Sequence, residues 1–381
     1  MSINVTPGVI YKEAEANENL IGNGSQIPII LGKSASTTGD PTKILKFKNY
    51  SQAKNSVANG GIGPEPETLH DNPLLEFLKQ YFEEGARLKV ADKGMPYVYV
   101  IDMGSAPTDA NWTTAMTTVT KKSEVEVEVY IGIEESETFL DLLEAINTNL
   151  NTQAEYGNLR VAYCTKYGAS DADLIKLTDD TQTKSIQRSR IGICEPLLFG
   201  KTIAKISLTP YYEEPGYTVY RSVTAGTFKE RTRTEANALQ NAGIIFNKDE
   251  MIRGNFYPKI NLAVSTAWAK DDQERPNDAS LHARRNTDYL VRDIYDICWE
   301  QIKRNETGTN LQFLQTDINS IINTEIDKGN MMTGTSVSVT ESDEDPYTLF
   351  VKGSCKPVNS TLAIEFEMYV SQPNATVADE I

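Results

Sequence analysis

Few residues in this chain have the types and spacing that covalent chemistry needs. Its 381 residues include two histidines, His70 and His282, and four cysteines, Cys164, Cys194, Cys298 and Cys355. No CxxC or HExxH pattern links them, so a zinc ribbon, a redox dithiol or a histidine metal site has no local signature. The cysteines lie in apolar contexts such as Val161-Ala162-Tyr163-Cys164, which predicts buried free thiols from a reducing compartment. Gly22-Asn23-Gly24 and Gly60-Gly61-Ile62-Gly63 lack the lysine and following helix that a phosphate loop requires. The stretch after Ile101 reads Asp102-Met103-Gly104-Ser105-Ala106-Pro107, too poor in glycine for a dinucleotide fingerprint. No GxSxG elbow occurs. Glu134-Glu135 and Asp343-Glu344-Asp345 fit solvated turns rather than calcium loops. The sequence therefore predicts no catalytic, cofactor-binding or metal-ligating residues, no cofactor, and a protein that is not an enzyme.

Charge narrows the choice further. Lys plus Arg is 37 against 53 Asp plus Glu, a net charge of −16 that repels phosphate backbones, so no nucleic-acid partner is expected. No apolar run approaches the ~20 residues of a membrane span, so no direct membrane insertion is expected either. Met1-Ser2-Ile3-Asn4-Val5 has neither a basic nor an apolar signal region. With 39% apolar and 24% charged residues the composition is globular. At ~150 residues per domain the length suggests two or three domains.

The elements that would carry any function follow from periodicity. Ile27 to Gly32 reads as a buried strand, and Asn72-Pro73 opens a helix with Leu74, Leu75, Leu78, Tyr81 and Phe82 on one face. Strands at 97–101, 125–133, 159–164 and 190–194 alternate with helices at 109–118, 139–150 and 171–185, which predicts a mostly parallel sheet with covering helices. Glu124, Glu126 and Glu128 occupy the face opposite Val125, Val127 and Val129. Segments 203–208 and 218–223 read as strands. Residues 182–235 are locally basic, with nine Lys or Arg against five acids, which suggests charge complementarity with acidic neighbours. A long helix at 279–304 and a second at 310–328, ended by Gly329, precede strands at 336–340 and 347–352.

Both ends are extended. Ile3, Val5, Val9 and Tyr11 alternate around Thr6-Pro7-Gly8, and Leu362, Ile364, Phe366, Met368 and Val370 alternate strictly with polar or small residues. Such termini need a sheet edge to pair with, their own or a partner's.

The order of these pieces resembles the contractile tail sheath proteins of phages and related injection systems. Thr6-Pro7-Gly8-Val9-Ile10-Tyr11-Lys12-Glu13 is similar to that family's N-terminal "TPGVY-x-x-E" arm. The strand ending at Gly32, a degenerate Phe-Gly element at Phe47 to Tyr50, and the helix ending in Tyr81, Phe82 and Gly85 follow in the family's order. Leu239-Gln240-Asn241-Ala242-Gly243-Ile244-Ile245 resembles its "L-x-x-x-G-I-N" turn, and Ala267-Trp268 with Arg284-Arg285 its run into a long helix. Residues 105–235 match weakly, and the Arg-Thr expected after the tryptophan is absent.

The resemblance implies an α/β fold, α+β overall. An inner domain with a mixed sheet and two long helices is formed from both chain ends; an outer α/β domain is inserted, and β-arms extend from the N- and C-termini. The expected boundaries are an arm at 1–20, an outer domain at 21–235, a tube-proximal inner domain at 236–359 and an arm at 360–381. It implies a structural subunit that polymerises as stacked hexameric rings around an inner tube and contracts to drive the tube through a target envelope. The expected partners are further copies of the chain, a tail tube protein, and baseplate and terminator proteins; the expected location is a virion tail assembled in the host cytoplasm. Intersubunit contacts fall to Ile3, Val5, Pro7, Gly8, Val9 and Tyr11 and to Leu362, Ile364, Phe366, Met368 and Val370. The candidate tube-facing helix carries Asn310, Leu311, Asp317 and Lys328. The alternatives are another virion structural protein, of baseplate or tube, and a cytosolic α/β enzyme. Every subunit repeats the −16 charge, so raising ionic strength should favour assembly. Polymerisation insensitive to salt, followed by light scattering, would count against this.

Overall fold

The computed structural model describes residues 26–56, 72–87, 97–134, 136–155, 158–183, 190–212, 229, 231–250, 259–263, 281–301, 308–341 and 349–358. Both expected arms, with all their named residues, lie outside them, as does the expected strand at 218–223.

Strands β1 (Pro28–Gly32), β3 (Val98–Asp102), β4 (Val127–Ile133), β5 (Val161–Lys166), β6 (Ile191–Cys194) and β7 (Ile244–Glu250) run parallel in the order β3-β1-β4-β5-β6-β7. The antiparallel strands β2 (Leu45–Phe47) and β8 (Lys259–Ala263) close the two edges. Residues of β1, β3, β4 and β6 are buried throughout, as expected of strands covered on both faces. One face packs under α1 (Tyr50–Ser56), α2 (Pro73–Arg87) and α6 (Phe199–Leu208). The other packs under α3 (Asp109–Val119), α4 (Ser136–Glu155), α5 (Asp171–Thr183) and α7 (Arg233–Asn241). Sequence signals set several helix starts. Asn72 Oδ1 accepts from the Leu75 N–H at 3.1 Å ahead of Pro73, and Thr232 and Glu235 form a reciprocal capping box at α7.

A second unit follows, made of α8 (Leu281–Gln301), α9 (Gly308–Asp327) and the antiparallel strands β9 (Ser336–Glu341) and β10 (Leu349–Ser354). Leu290, Ile294, Leu314, Ile318, Ile322 and Met331 form its separate apolar cluster. Gly329, in the left-handed region at φ 77°, ends α9 as expected.

One expectation is corrected. Segment 203–208 is the second half of α6, because Phe199, Ile203, Ala204 and Ile206 bury one helical face against α2. β7, which follows the boundary expected at 235, pairs with β6 through Ile193–Ile244 and Cys194–Ile245. The α/β fold class is as expected: the large sheet is mixed and mostly parallel, and the second unit contributes an antiparallel pair among the described residues.

In such a sheet, ligands settle beyond the strand ends where the crossovers diverge, here at β1 and its neighbours. That place is packed with the chain's own groups. Lys33 pairs with Glu134 at 2.9 Å across the ends of β1 and β4. Ser34 Oγ donates to Asp102 at 2.6 Å, the Gly104 N–H donates to the same oxygen at 2.9 Å, and the Ser105 N–H donates to the Ser36 carbonyl at 2.8 Å. A methyl on Gly39 would stand 2.1 Å from the nitrogen of Gly104, itself at φ 73°. Gly39→Ala must therefore break this loop contact and should destabilise the chain by about 2–4 kcal/mol in urea unfolding. An unchanged midpoint would show that the loop is not packed as described.

Candidate assembly interface

Two features decide how this chain can meet a neighbour: how its two units are locked together, and which backbone edges are left open.

The lock lies under the starts of β4, β5 and β6. Arg190, just before β6, donates to Asp288 of α8 at 3.0 Å, and both side chains are buried. Arg284 reaches Asp288 from one turn earlier at 2.8 Å. Arg285, 2% exposed, donates to the Thr209 carbonyl after α6. Arg292 pairs with Glu126 before β4 at 3.0 Å and donates to the Leu159 carbonyl before β5. Behind this layer, Arg160 and Glu128 form a fully buried pair at 3.3 Å, with the Tyr130 hydroxyl donating to Glu128 at 2.7 Å. Burial pushes the Glu128 carboxyl up, against the pull of Arg160 and Tyr130. The glutamates alternating along β4 are thus each paired: Glu128 and Glu126 as above, and Glu124 with the Tyr99 hydroxyl at 2.8 Å. An aromatic contact completes the lock. Tyr211 stacks on Tyr289 with centroids 3.6 Å apart and donates to Glu325 of α9 at 3.2 Å. Nearby Asp293 is pushed up to about 6 by burial and by Glu325 and Asp296.

The basic segment 182–235 is accordingly less of a surface patch than expected. Arg190 faces Asp288, Lys201 faces Glu83 at 3.3 Å, and Lys205 is fully buried. Arg231, its side chain 3% exposed, clasps Asp171 and Glu195 at 2.8 and 2.7 Å, and Lys229 joins Asp171. These charges hold the sheet's own loops.

Among the four residues expected on the tube-facing helix, α9 separates the roles. Asp317 and Lys328 lie on one exposed stripe with Phe313, Ser320 and Thr324. Leu311 is half-buried, at helical spacing from the core residues Leu314 and Ile318. The Asn310 side chain lies outside the described residues. Lys328 is tied to Glu325 at 2.7 Å. Sequence reasoning missed Phe313, the most exposed of the large apolar side chains described, at 59%. Its signal was available: an aromatic residue on the polar side of an amphipathic helix.

The β9–β10 pair supplies the open edge. Its ladder pairs Ser336, Ser338 and Thr340 with Ser354, Lys352 and Phe350, and residues 351–354 of β10 are exposed. Cys164 and Cys194 are buried free thiols as expected, and Cys298 and Cys355 are half-buried free thiols. Among the described residues there is no cluster that could hold a metal ion, and no helix is long and apolar enough to cross a membrane.

No family model matches the chain, and no curated protein matches it. Solved structures do. A chain of the anti-feeding prophage baseplate, 6-fold symmetrised, shares 12% identity at a TM-score of 0.67, covering 96% of this chain and 99% of that one. A chain of the anti-feeding prophage helical sheath in its contracted state shares 13% identity at 0.62, covering 97% and 100%. A chain of the contracted sheath complex of an extracellular contractile injection system, PVC, shares 12% identity at 0.63, covering 97% and 99%. This chain therefore has, over nearly its whole length, the fold of chains in contractile injection system sheath and baseplate assemblies.

Two predictions follow from the lock. Asp288→Ala leaves two guanidiniums facing each other without a carboxylate and should cost about 3–5 kcal/mol in chemical unfolding. A loss under 1 kcal/mol would deny the pair its role. Asp293 holds its proton more tightly folded than unfolded, so its ionisation opposes folding. Asp293→Asn should stabilise the chain by roughly 1 kcal/mol above pH 6, after discounting for solvent screening, with the gain vanishing below about pH 4. A gain that grows in acid would reverse that sign.

Proposed function

We propose that this chain is the structural subunit of a contractile sheath, stacking as hexameric rings around an inner tube and contracting to drive that tube through a target envelope. The observation that carries the reading is the exposed β10 edge, on a body that takes the sheath-type fold over nearly its full length. Strand addition satisfies backbone donors and acceptors whatever the side chains are, so a neighbour's arm can stay paired while rigid bodies rotate past each other. The alternating segments at 3–11 and 362–370 are the strands to be added. At a net ~0.5–1.5 kcal/mol per hydrogen bond, several bonds per arm keep subunits joined while other contacts exchange. Contraction then needs only two packings of the same bodies, the extended one kinetically trapped.

The exposed stripe of α9, with Phe313, Asp317 and Lys328, is the surface we assign to the tube. Baseplate and terminator proteins would meet the two ends of the stack, with the particle assembled in the cytoplasm of the producing host. No step calls for catalysis or a cofactor. A second reading, a baseplate-proximal ring subunit, is favoured by the TM-score of 0.67 to the baseplate chain. Such a subunit would stop at a single ring.

Deleting residues 2–12 should leave the circular dichroism spectrum and monomer intact but abolish the fast-sedimenting polymer that the full chain forms. A deletion variant that still polymerises would remove the N-terminal arm from the mechanism, and a full chain that never exceeds one ring would favour the baseplate reading.

A further inference from the structure

The two edges of the β9–β10 pair are not equivalent. Gln315, on α9, lays its side-chain amide along the outer edge of β9. Its Nε2 donates to the Val337 carbonyl at 2.8 Å, and its Oε1 accepts from the Val339 N–H at 2.9 Å. One group that donates to the carbonyl of residue i−1 and accepts from the amide of residue i+1 reproduces the pairing of a parallel strand. The remaining amide hydrogen goes to Asn319 Oδ1 at 3.0 Å, which fixes the orientation of the group. With the Val337 carbonyl and the Val339 N–H facing the outer edge of β9, the ladder leaves the backbone groups of their partners Gly353 and Val351 facing the outer edge of β10. Among the described residues no hydrogen bond covers that second edge, and Val351 is 37% exposed.

We propose that Gln315 is an edge guard: it occupies the place of a strand on β9, so a strand from a second copy of this chain adds at β10 alone. An antiparallel pair with two bare edges would take strands from either side and could grow as a continuous sheet, which natural sheets avoid by covering one edge. Here a single side-chain amide covers it. The occupant we assign to β10 is the alternating segment 362–370, whose single apolar face suits an edge with one face on a core, and segment 3–11 adds in turn to the free edge of that strand. This deepens the sheath reading and rests on it.

The test is hydrogen exchange on the full chain at concentrations that keep it monomeric, with and without an excess of a synthetic peptide of residues 361–371. In the native sequence, peptide should slow exchange at the Val351 and Gly353 amides at least tenfold and leave the Val337 amide unchanged. In Gln315→Ala, shown to be folded by its circular dichroism, the peptide should slow Val337 as well, and titration calorimetry should rise from one peptide per chain to two. Gln315→Glu, which keeps the acceptor for Val339 but loses the donor to Val337, checks the same point should the alanine variant fail to fold. Slowing at Val337 in the native sequence, or one peptide per chain in a folded variant, overturns the guard while leaving strand addition standing. Peptide that binds neither form overturns strand addition itself, and the guard with it.

Discussion

A guanidinium taken out of water has to find a carboxylate, and that requirement joins the two halves of this molecule. The apolar clusters do not: those on the faces of the large sheet belong to it, and the one between α8 and α9 is separate. What spans the gap is the layer of charge beneath the strand starts, with Arg190 and Arg284 sharing Asp288, and Arg292 on Glu126. Each partner is far more costly unpaired than paired, so the two units hold one relative placement or lose several kcal/mol. The stacked Tyr211–Tyr289 pair adds a contact whose geometry tolerates little sliding. A body locked in this way suits a subunit that must move as a unit.

Intersubunit adhesion asks for the opposite property. It has to survive rotation, so it cannot depend on one side-chain geometry. Backbone edges meet that need, and β10 offers one. The place where an α/β sheet of this order would receive a ligand is instead packed by its own loop, through Ser34, Asp102 and the close approach of Gly39 to Gly104. Among the described residues, then, the strand-end site is closed by its own loop while the β10 edge is exposed.

The strand–helix alternation was legible because strands covered on both faces must be continuously apolar, as at Ile29 to Leu31 and Val127 to Ile133. The helix start at Asn72-Pro73 and the stop at Gly329 were legible from local chemistry. Residues 203–208 were misread because Ala204, Ile206 and Leu208 alternate with Lys205 and Ser207 as in a strand, and only the packing of Phe199, Ile203, Ala204 and Ile206 beside α2 decides for a helix. The charge layer and the Arg231 clasp were invisible because the partners that define them lie far apart: Arg190 and Asp288 are 98 residues apart, Arg231 and Asp171 60. The basic segment therefore looked like a surface patch when much of it is internal. Gln315 looked like any polar helix residue, since nothing local tells that a strand edge 22 residues later needs an amide.

Subunits joined by backbone strand addition between rigid bodies carry that added strand into the assembled polymer. A cryo-electron microscopy map of the polymer formed by the purified full chain tests it most directly. Strand addition predicts hollow cylinders in which a strand from a neighbouring copy lies hydrogen-bonded along β10 of each subunit, while α8 keeps its place beneath the sheet. A polymer in which β10 stays bare and subunits meet only through side chains would contradict it.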